Sequence, residues 1–478
     1  MLHRHQRLIR FLIVAILCFI TTACTSREAI AQLGSVKQTS LWTRNKGEDW
    51  PRMLGARYDS TSNETGITTN WGTQGLRVVW SAKTGEGYGN GVASQGRWFQ
   101  FDRFGNSERL TCHHAETGSI LWTWESPVFY RDAYGYNNGP RCSPVVDEDK
   151  VFVYGVAGKL ACLSVSDGKL LWEKNVNESY WVVPNFFGVG ASPLVYQNIL
   201  WVMVGGSLPD GRSADDLSVN DVPSAKPNQC AMVGFDKRTG KELYRVGNYL
   251  ASYAAPVVRS VNGEDTLLAF VREGLLAFDP ADGTQQRFYP WRASSLESVN
   301  GASPMMVQGH VLIGEAYERG GTLLAMEPTD WKPLWTDGRS RREQMFRPHW
   351  TNPLVVGDNV FVSSGRNEPD TDLRCLKWRN GNPTSGFETT WSIRNRDRMT
   401  GIVIDGHLLL LGESGILQLA KVNEAKFDLV AEMDLASRTI PGEGRPYILT
   451  PSWAPPVVSH GLLYVRGTDR VVCLELIP

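Results

Sequence analysis

The chain carries no long run of one charge sign: its 49 basic and 50 acidic residues leave a net charge of −1. That balance removes the electrostatic ground for a nucleic-acid partner or for broad attachment to a membrane surface. Beyond the N-terminus there is no apolar run of spanning length. No segment sustains a helical period, which excludes solenoids of paired helices. Cysteine spacing resembling a zinc site, a phosphate-cradling glycine loop and a nucleophile–base constellation are all missing, so no catalytic residue and no metal ligand is assigned. The chain does hold 17 Trp, 15 Tyr, 17 Phe and 47 Gly, the composition of a strand-rich protein with many turns.

Those strands repeat. Gly91, Pro144, Pro193, Pro256, Pro304, Pro353, Gly401 and Pro455 each open a short apolar run, and seven positions later a second run begins at Trp98, Val151, Leu200, Val311, Val360, Leu408 and Leu462. Only the Pro256 copy departs, because Gly263-Glu264-Asp265 lengthens its turn. Successive anchors lie 53, 49, 63, 48, 49, 48 and 54 residues apart. A period in that range, filled with short strands, marks a propeller or solenoid whose repeats bury their faces on one another. Two stacked β-sandwiches would give no reason for eight registered copies.

The copy from Cys142 to Trp172 is the clearest. Val145-Val146, Val151 to Tyr154, Lys159 to Val165 and Lys169 to Trp172 read as four strands. The turns between them fall at Asp147 to Asp149, Gly155 to Gly158 and Ser166 to Gly168. Four short antiparallel strands make a propeller blade. The last strand carries an aromatic in most copies (Trp122, Trp172, Tyr244, Trp335, Trp391), read as packing between blades rather than as a ligand platform. The eighth copy stops after three strands, while an orphan strand of fourth-strand type, Leu76 to Trp80, precedes the first blade. Supplying it to the eighth blade would remove two exposed sheet edges. The expected architecture is therefore all-β: an eight-bladed propeller of four-stranded antiparallel blades, the last closed by an N-terminal strand, over residues 50–478.

Residues 1–23 have the layout of a secretory signal peptide, with a basic start, an apolar stretch from Phe11 to Ile20, and Ala23 before the cut. Cys24 directly after Ala23 resembles a bacterial lipoprotein signal, which implies lipidation of Cys24, a tether over 24–49 and a membrane held through the lipid anchor. Thr21 departs from that pattern, and ordinary cleavage or an uncleaved anchor are the alternatives. Each version exports the repeats. Cys112, Cys142, Cys162, Cys375 and Cys473 occupy repeat slots that elsewhere hold small residues, so they are expected to be unpaired and buried.

The segments Glu116 to Trp122, Ser166 to Trp172, Lys237 to Tyr244 and Pro280 to Gly283 resemble the tryptophan-docking repeats of pyrroloquinoline-quinone (PQQ)-like β-propellers. The opening Asp49 to Gly55, with Glu64 to Ile67 and Gly85 to Tyr88, is similar to exported PQQ-like repeat proteins of bacteria. That superfamily includes quinoprotein alcohol dehydrogenases and the quinone-free propeller lipoprotein of the outer-membrane β-barrel assembly machinery. The dehydrogenases typically hold PQQ over a pair of adjacent cysteines with calcium on Glu, Asn and Asp. This chain has no adjacent cysteine pair, no matching calcium set and no c-type haem motif. No cofactor is therefore expected. The resemblance implies a non-enzymatic cell-envelope scaffold, periplasmic or anchored to the outer membrane, that binds a protein or polymer partner. A PQQ- and calcium-dependent dehydrogenase of alcohols or sugars is the alternative.

Two acidic or basic clusters carry little. His113 and His114 are adjacent in a strand, so alternation points them to opposite faces. The polar insert 207–229 contains Asp210, Asp215, Asp216 and Asp221 but lacks EF-hand spacing and reads as a surface loop. The links between blades are more informative, because they lead into the innermost strands and so rim the axial funnel. Arg141, Asn300, Arg347, His349 and Trp350 are the candidate binding residues there, joined by Tyr134, Tyr136, Phe187, Tyr253 and Trp453. Such side chains can grip a ligand or simply plug the channel.

Overall fold

The computed structural model describes residues 39–327 and 331–478. The expected signal peptide, Cys24 and the first part of the expected tether lie outside the described residues. Eight sheets follow one another along the chain, seven of four strands and one of five. In the blade read from sequence the strands are Val145–Asp147, Lys150–Tyr154, Lys159–Ser164 and Leu170–Asn175, paired antiparallel in order. Six of the eight anchors sit one residue before a first strand, for example Pro193 before Leu194–Tyr196 and Pro353 before Leu354–Val356. Gly401 instead lies inside the strand Met399–Ile404. There a Cβ would stand 2.7 Å from the Leu409 carbonyl and 3.3 Å from Leu354 of the preceding blade, so glycine lets two inner strands approach.

Burial explains the strand sequences. Most second strands are sandwiched between neighbouring blades and are apolar on both faces, as in Ile199–Met203, all of which is buried. Fourth strands have a solvated side, and Glu242–Val246 alternates accordingly. Blades are coupled by indoles. Trp122 Nε1 donates to the Val165 carbonyl of the next blade at 3.0 Å, and Trp172 Nε1 to that of Lys237 at 3.2 Å. The aromatics at this position thus join blade to blade. The orphan strand runs from Val78 to Lys83, starting two residues and ending three residues later than read, and pairs antiparallel with Arg470–Glu475. It completes the eighth blade.

The channel is closed at one end by a segment that precedes the repeats and carries no repeat signal of its own. Trp50 forms a backbone bridge with Ala93, and the Pro51 carbonyl accepts from Val146 N at 2.8 Å. The Tyr58 hydroxyl reaches the Val195 carbonyl, Arg259 Nη1 donates to the Arg57 carbonyl at 3.0 Å, and Thr61–Ser62 pairs parallel with Val403–Ile404. These partners lie within the first strands of blades 1, 2, 3, 4 and 7. Residues 50–62 therefore form a floor. Part of the expected tether is also bound: Thr43 N donates to Glu116 at 2.6 Å, and Arg44 pairs with Glu475 at 2.7 Å.

The starts of the first strands face the opposite, open mouth, together with the links between blades. The insert between Met203 and Met232 lies on that face. It folds into two 3-10 turns, Ala214–Asp216 and Val219–Ser224, and buries Leu217 and Val222 against Val183 and Leu250. Its Asp210 and Asp221 both pair with Arg212. All six described cysteines are free and buried.

Candidate functional site

Between floor and mouth lies an axial cavity of about 290 Å³. Met53 and Ser60 supply its floor. Its lower wall comes from a register that sequence reading passed over, the residue immediately before each anchor. Asn90, Ser192, Ala255, Ser303, Asn352 and Thr400 all line the cavity from this position. Being short, they leave the axis open, and they tie blades together. Ser143 N donates to Ser192 Oγ at 2.9 Å, Ser303 N donates to Asn352 Oδ1 at 2.7 Å, and Ser143 Oγ donates to Asn90 Oδ1. A small residue before each anchor, polar in all copies but Ala255 and Ala454, was the available signal.

The upper wall is aromatic. Phe187 contacts Tyr253 (5.9 Å between ring centroids) and Tyr136 (6.0 Å), and Tyr136 contacts Trp453 (6.0 Å). Trp453 in turn meets Trp350 at 6.0 Å and Tyr88 at 4.5 Å. The interplanar angles along this arc run from 40° to 63°. Links from several blades thus build one continuous, tilted surface. Tyr88, Tyr317 and Arg398 belong to the wall but were not among the sequence candidates.

Two arginines brace this surface and both are paired. Arg141 donates to Asp132 at 2.6 Å and to the Gly139 and Asn137 carbonyls, beneath the rings of Tyr88 and Phe187. Arg398 binds Glu413 through Nη2 at 2.6 Å and Nε at 3.1 Å, and it lies under Trp350 and Trp453. Trp453 Nε1 also donates to Glu413 at 2.7 Å. Burial works to raise the Glu413 carboxyl, but Arg398 and the indole outweigh it and hold it below the usual range.

His349 stands between Arg398 and Tyr317. Burial first, then the Arg398 and Arg366 cations, lower its pKa to about 3, so the imidazole is neutral at neutral pH. A guanidinium has no acceptor, so Nδ1, 3.3 Å from Arg398 Nη1, must accept. The network thereby assigns the ring proton to Nε2, which points at the Tyr317 hydroxyl 3.3 Å away. With its oxygen accepting from the imidazole, Tyr317 has its own hydroxyl proton free to donate.

Of the five candidates, Arg141, Asn300, His349 and Trp350 line the cavity. Asn300 is also a brace. Its Nδ2 reaches the carbonyls of Val271 (3.0 Å), Arg272 and Trp291, while Oδ1 is buried without a partner. Arg347 is not on the wall. It is 2% exposed, holds Asp370 through both terminal nitrogens and donates to the Ala316 carbonyl. A buried guanidinium needs such partners, and pairing rather than exposure is how this one is satisfied. The structure separates His113, which is buried with Nδ1 on the Gly118 carbonyl, from the less buried His114. Among the described residues no three His, Cys, Asp or Glu side chains stand close enough to hold a metal ion.

A sequence model of the family described as outer membrane protein assembly factor BamB matches residues 72–208, 106–287 and 229–427, overlapping spans that run unbroken from 72 to 427. Among solved structures, BamB from Moraxella catarrhalis is similar, with a TM-score of 0.52 at 13% identity, covering 84% of this chain and 98% of that one. A europium-containing methanol dehydrogenase gives 0.47 at 11% identity, covering 88% and 90%. The quinohemoprotein alcohol dehydrogenase of Comamonas testosteroni gives 0.44 at 13%, covering 89% and 80%. At such identities the BamB likeness speaks to fold alone, and the two dehydrogenases are too distant to support any argument. No curated protein matches the chain. With the family match spanning well over half of its length, the chain belongs to the family described as outer membrane protein assembly factor BamB.

Proposed function

We propose that this protein is an exported, non-enzymatic propeller that holds a protein or polymer partner of the cell envelope at the aromatic mouth of its axial cup. The observation that carries this reading is the wall itself. Tilted rings from several blades form a continuous surface, and the ionised arginines beneath it are already neutralised by Asp132 and Glu413. Aromatics held this rigidly supply contact area at little entropic cost. By analogy with the family description we place the protein on the periplasmic side of the outer membrane, held through a lipid on Cys24.

Capture from envelope extract tests the mouth. Wild-type protein should retain a partner that Trp350→Ala loses, and identical capture by both would overturn the reading. Mass spectrometry of the mature N-terminus tests the anchor: a free amine on Thr25, or a chain beginning at Met1, would overturn it.

The quinone-dependent alternative fits the residues poorly. A flat anionic quinone with calcium wants free cations and a carboxylate cluster. Arg141 and Arg398 are consumed by their partners, and Glu315 accepts from the backbone N–H groups of Tyr317, Glu318 and Arg319.

A further inference from the structure

We infer that the cup binds a neutral pyranose ring, either a free sugar or the terminal residue of a glycan; this deepens the reading above and rests on the cup being a binding site. Shape supplies the first argument. The floor of residues 50–62 makes the cavity blind, so no chain threads it. About 290 Å³ lies at the small end of ligand cavities, which span roughly 300–1,000 Å³. One compact ring or a chain end fits that description.

Ring orientation supplies the second. A flat aromatic ligand is best held in a parallel slot, by offset stacking. Here the five contacts of the arc are tilted by 40–63°, and none is parallel. A puckered ring presents C–H bonds on two faces and at its edges, and such a shape is complementary to tilted aromatics.

Charge supplies the third. Arg141 and Arg398 are paired, Glu315 is saturated by backbone donors and the Ser298 hydroxyl, and His349 sits between a guanidinium and a phenol as a neutral ring. No ionised group that lines the cavity is left to pair with an anion or a cation; the Arg366 guanidinium, 4.3 Å from the Tyr317 ring, is not among the lining residues. The other polar groups of the wall are hydroxyls and amides: the Tyr317 hydroxyl, Asn300 with its Oδ1 unpartnered, and around the base Ser192, Ser303, Asn352 and Thr400, of which Ser192 and Asn352 each also accept one bond from the neighbouring blade. Hydroxyls both donate and accept, so a mixed set of this kind matches a polyol better than it matches a one-signed ligand.

The test titrates full-length protein with neutral hexoses and N-acetylhexosamines, with the matching uronic acids, and with short oligosaccharides, reading indole fluorescence from Trp350 and Trp453 together with calorimetry. Saturable binding of a neutral sugar is expected. Tyr317→Phe, which deletes one hydroxyl, should weaken it about tenfold while the protein stays folded, with a modest fall in melting temperature because the His349 N–H loses an acceptor. Trp350→Ala should abolish it. Binding of monosaccharides identifies a free sugar, and binding of oligosaccharides alone identifies a glycan end; both support the inference. Tighter binding of the uronates, an unchanged affinity in Tyr317→Phe, or no sugar binding at all would overturn it. Loss of sugar binding alongside Trp350-dependent capture of an envelope protein would sink this inference and leave the broader reading standing.

Discussion

Trp80 of the closing strand lies across Gly118 of blade 1, and its Nε1 donates to the Ala115 carbonyl at 2.8 Å. A Cβ on Gly118 would stand 2.7 Å from the indole, and the glycine is left-handed at φ 73°. Trp122 sits on Gly168 and Trp172 on Gly240 in the same way. The N-terminal strand thus docks into blade 1 like any other fourth strand, although it precedes blade 1 in sequence. Gly118→Ala should therefore cost about 2–3 kcal/mol through overlap and backbone strain. Gly168→Ala should cost the same, and denaturant unfolding of both checks this. If only Gly168→Ala is costly, Trp80 does not seal the ring. Deleting residues up to Ala82 should destabilise the whole body, and an unchanged thermal transition would rule out the closure.

Arg259 offers a separate handle on the floor. Its guanidinium, buried enough that desolvation lowers its pKa, holds the Arg57 and Tyr58 carbonyls at 3.0 and 2.5 Å. Arg259→Met keeps the apolar stem and removes both bonds. The variant should lose about 2–3 kcal/mol of local stability. Hydrogen exchange should quicken in residues 54–60 before it does in the blades. Exchange that rises uniformly would mean the floor is not a separate unit.

The blades were legible because every one repeats the same burial problem: a turn, two strands sandwiched between neighbours, and a docked aromatic. Pro193 before Leu194 and Trp172 over Gly240 are local consequences of local sequence. Boundaries slipped where a single chain segment serves two roles, as at Val78–Lys83. The floor was not legible. Met53 and Ser60 occur once, so no period marks them, and their partners lie in blades distant in sequence. Arg347 misled for a related reason. Its position in a mouth link was read correctly, but Asp370, which turns it inward, comes from the next hairpin. Tyr317 and Arg398 were missed because a single tyrosine in a turn carries no pattern until His349 is placed beside it.

Acids raised by burial, Glu64, Asp102, Glu108, Glu273 and Asp337, lean the stability profile toward acid. Burial pushes Glu108 up to about 7 against the pull of the Val156 N–H, and Asp337 up to about 6 against three backbone N–H donors. An acid raised in the folded state binds its proton there while the unfolded chain has already released it. Between the unfolded carboxylate range and pH 7 its contribution to stability therefore falls as pH rises. Asp370 and Glu413 act oppositely: burial opposes them, but Arg347 and Arg398 hold them low, so their contribution is present at neutral pH and is lost in stronger acid. His349, lowered to about 3 by burial and the Arg398 and Arg366 cations, works against the raised acids. Below the ordinary imidazole range the unfolded chain takes up a proton that the folded ring does not. The fall in melting temperature with rising pH should therefore show mainly above about pH 6.5. Glu108→Gln should flatten the decline between about pH 5 and 8. An unchanged slope would show that Glu108 is not the group responsible.

Arg141 and Arg347 separate bracing from binding. The Asp132 side chain has no exposed surface, so Arg141→Ala leaves a buried carboxylate without its cation and should cost about 3–5 kcal/mol. Arg347→Ala should cost less, about 2–3 kcal/mol, because Asp370 is 28% exposed and keeps Arg341 at 3.1 Å. Arg347 is off the cavity wall, and its loss should leave ligand affinity intact once the protein is kept folded at low temperature. Arg141 lies beneath Tyr88 and Phe187, so its loss should loosen the arc and weaken ligand as well. Thermal melts and titrations on the two variants check both halves. Equal loss of affinity in both would place Arg347 in the site after all, and full affinity in both would confine Arg141 to the scaffold.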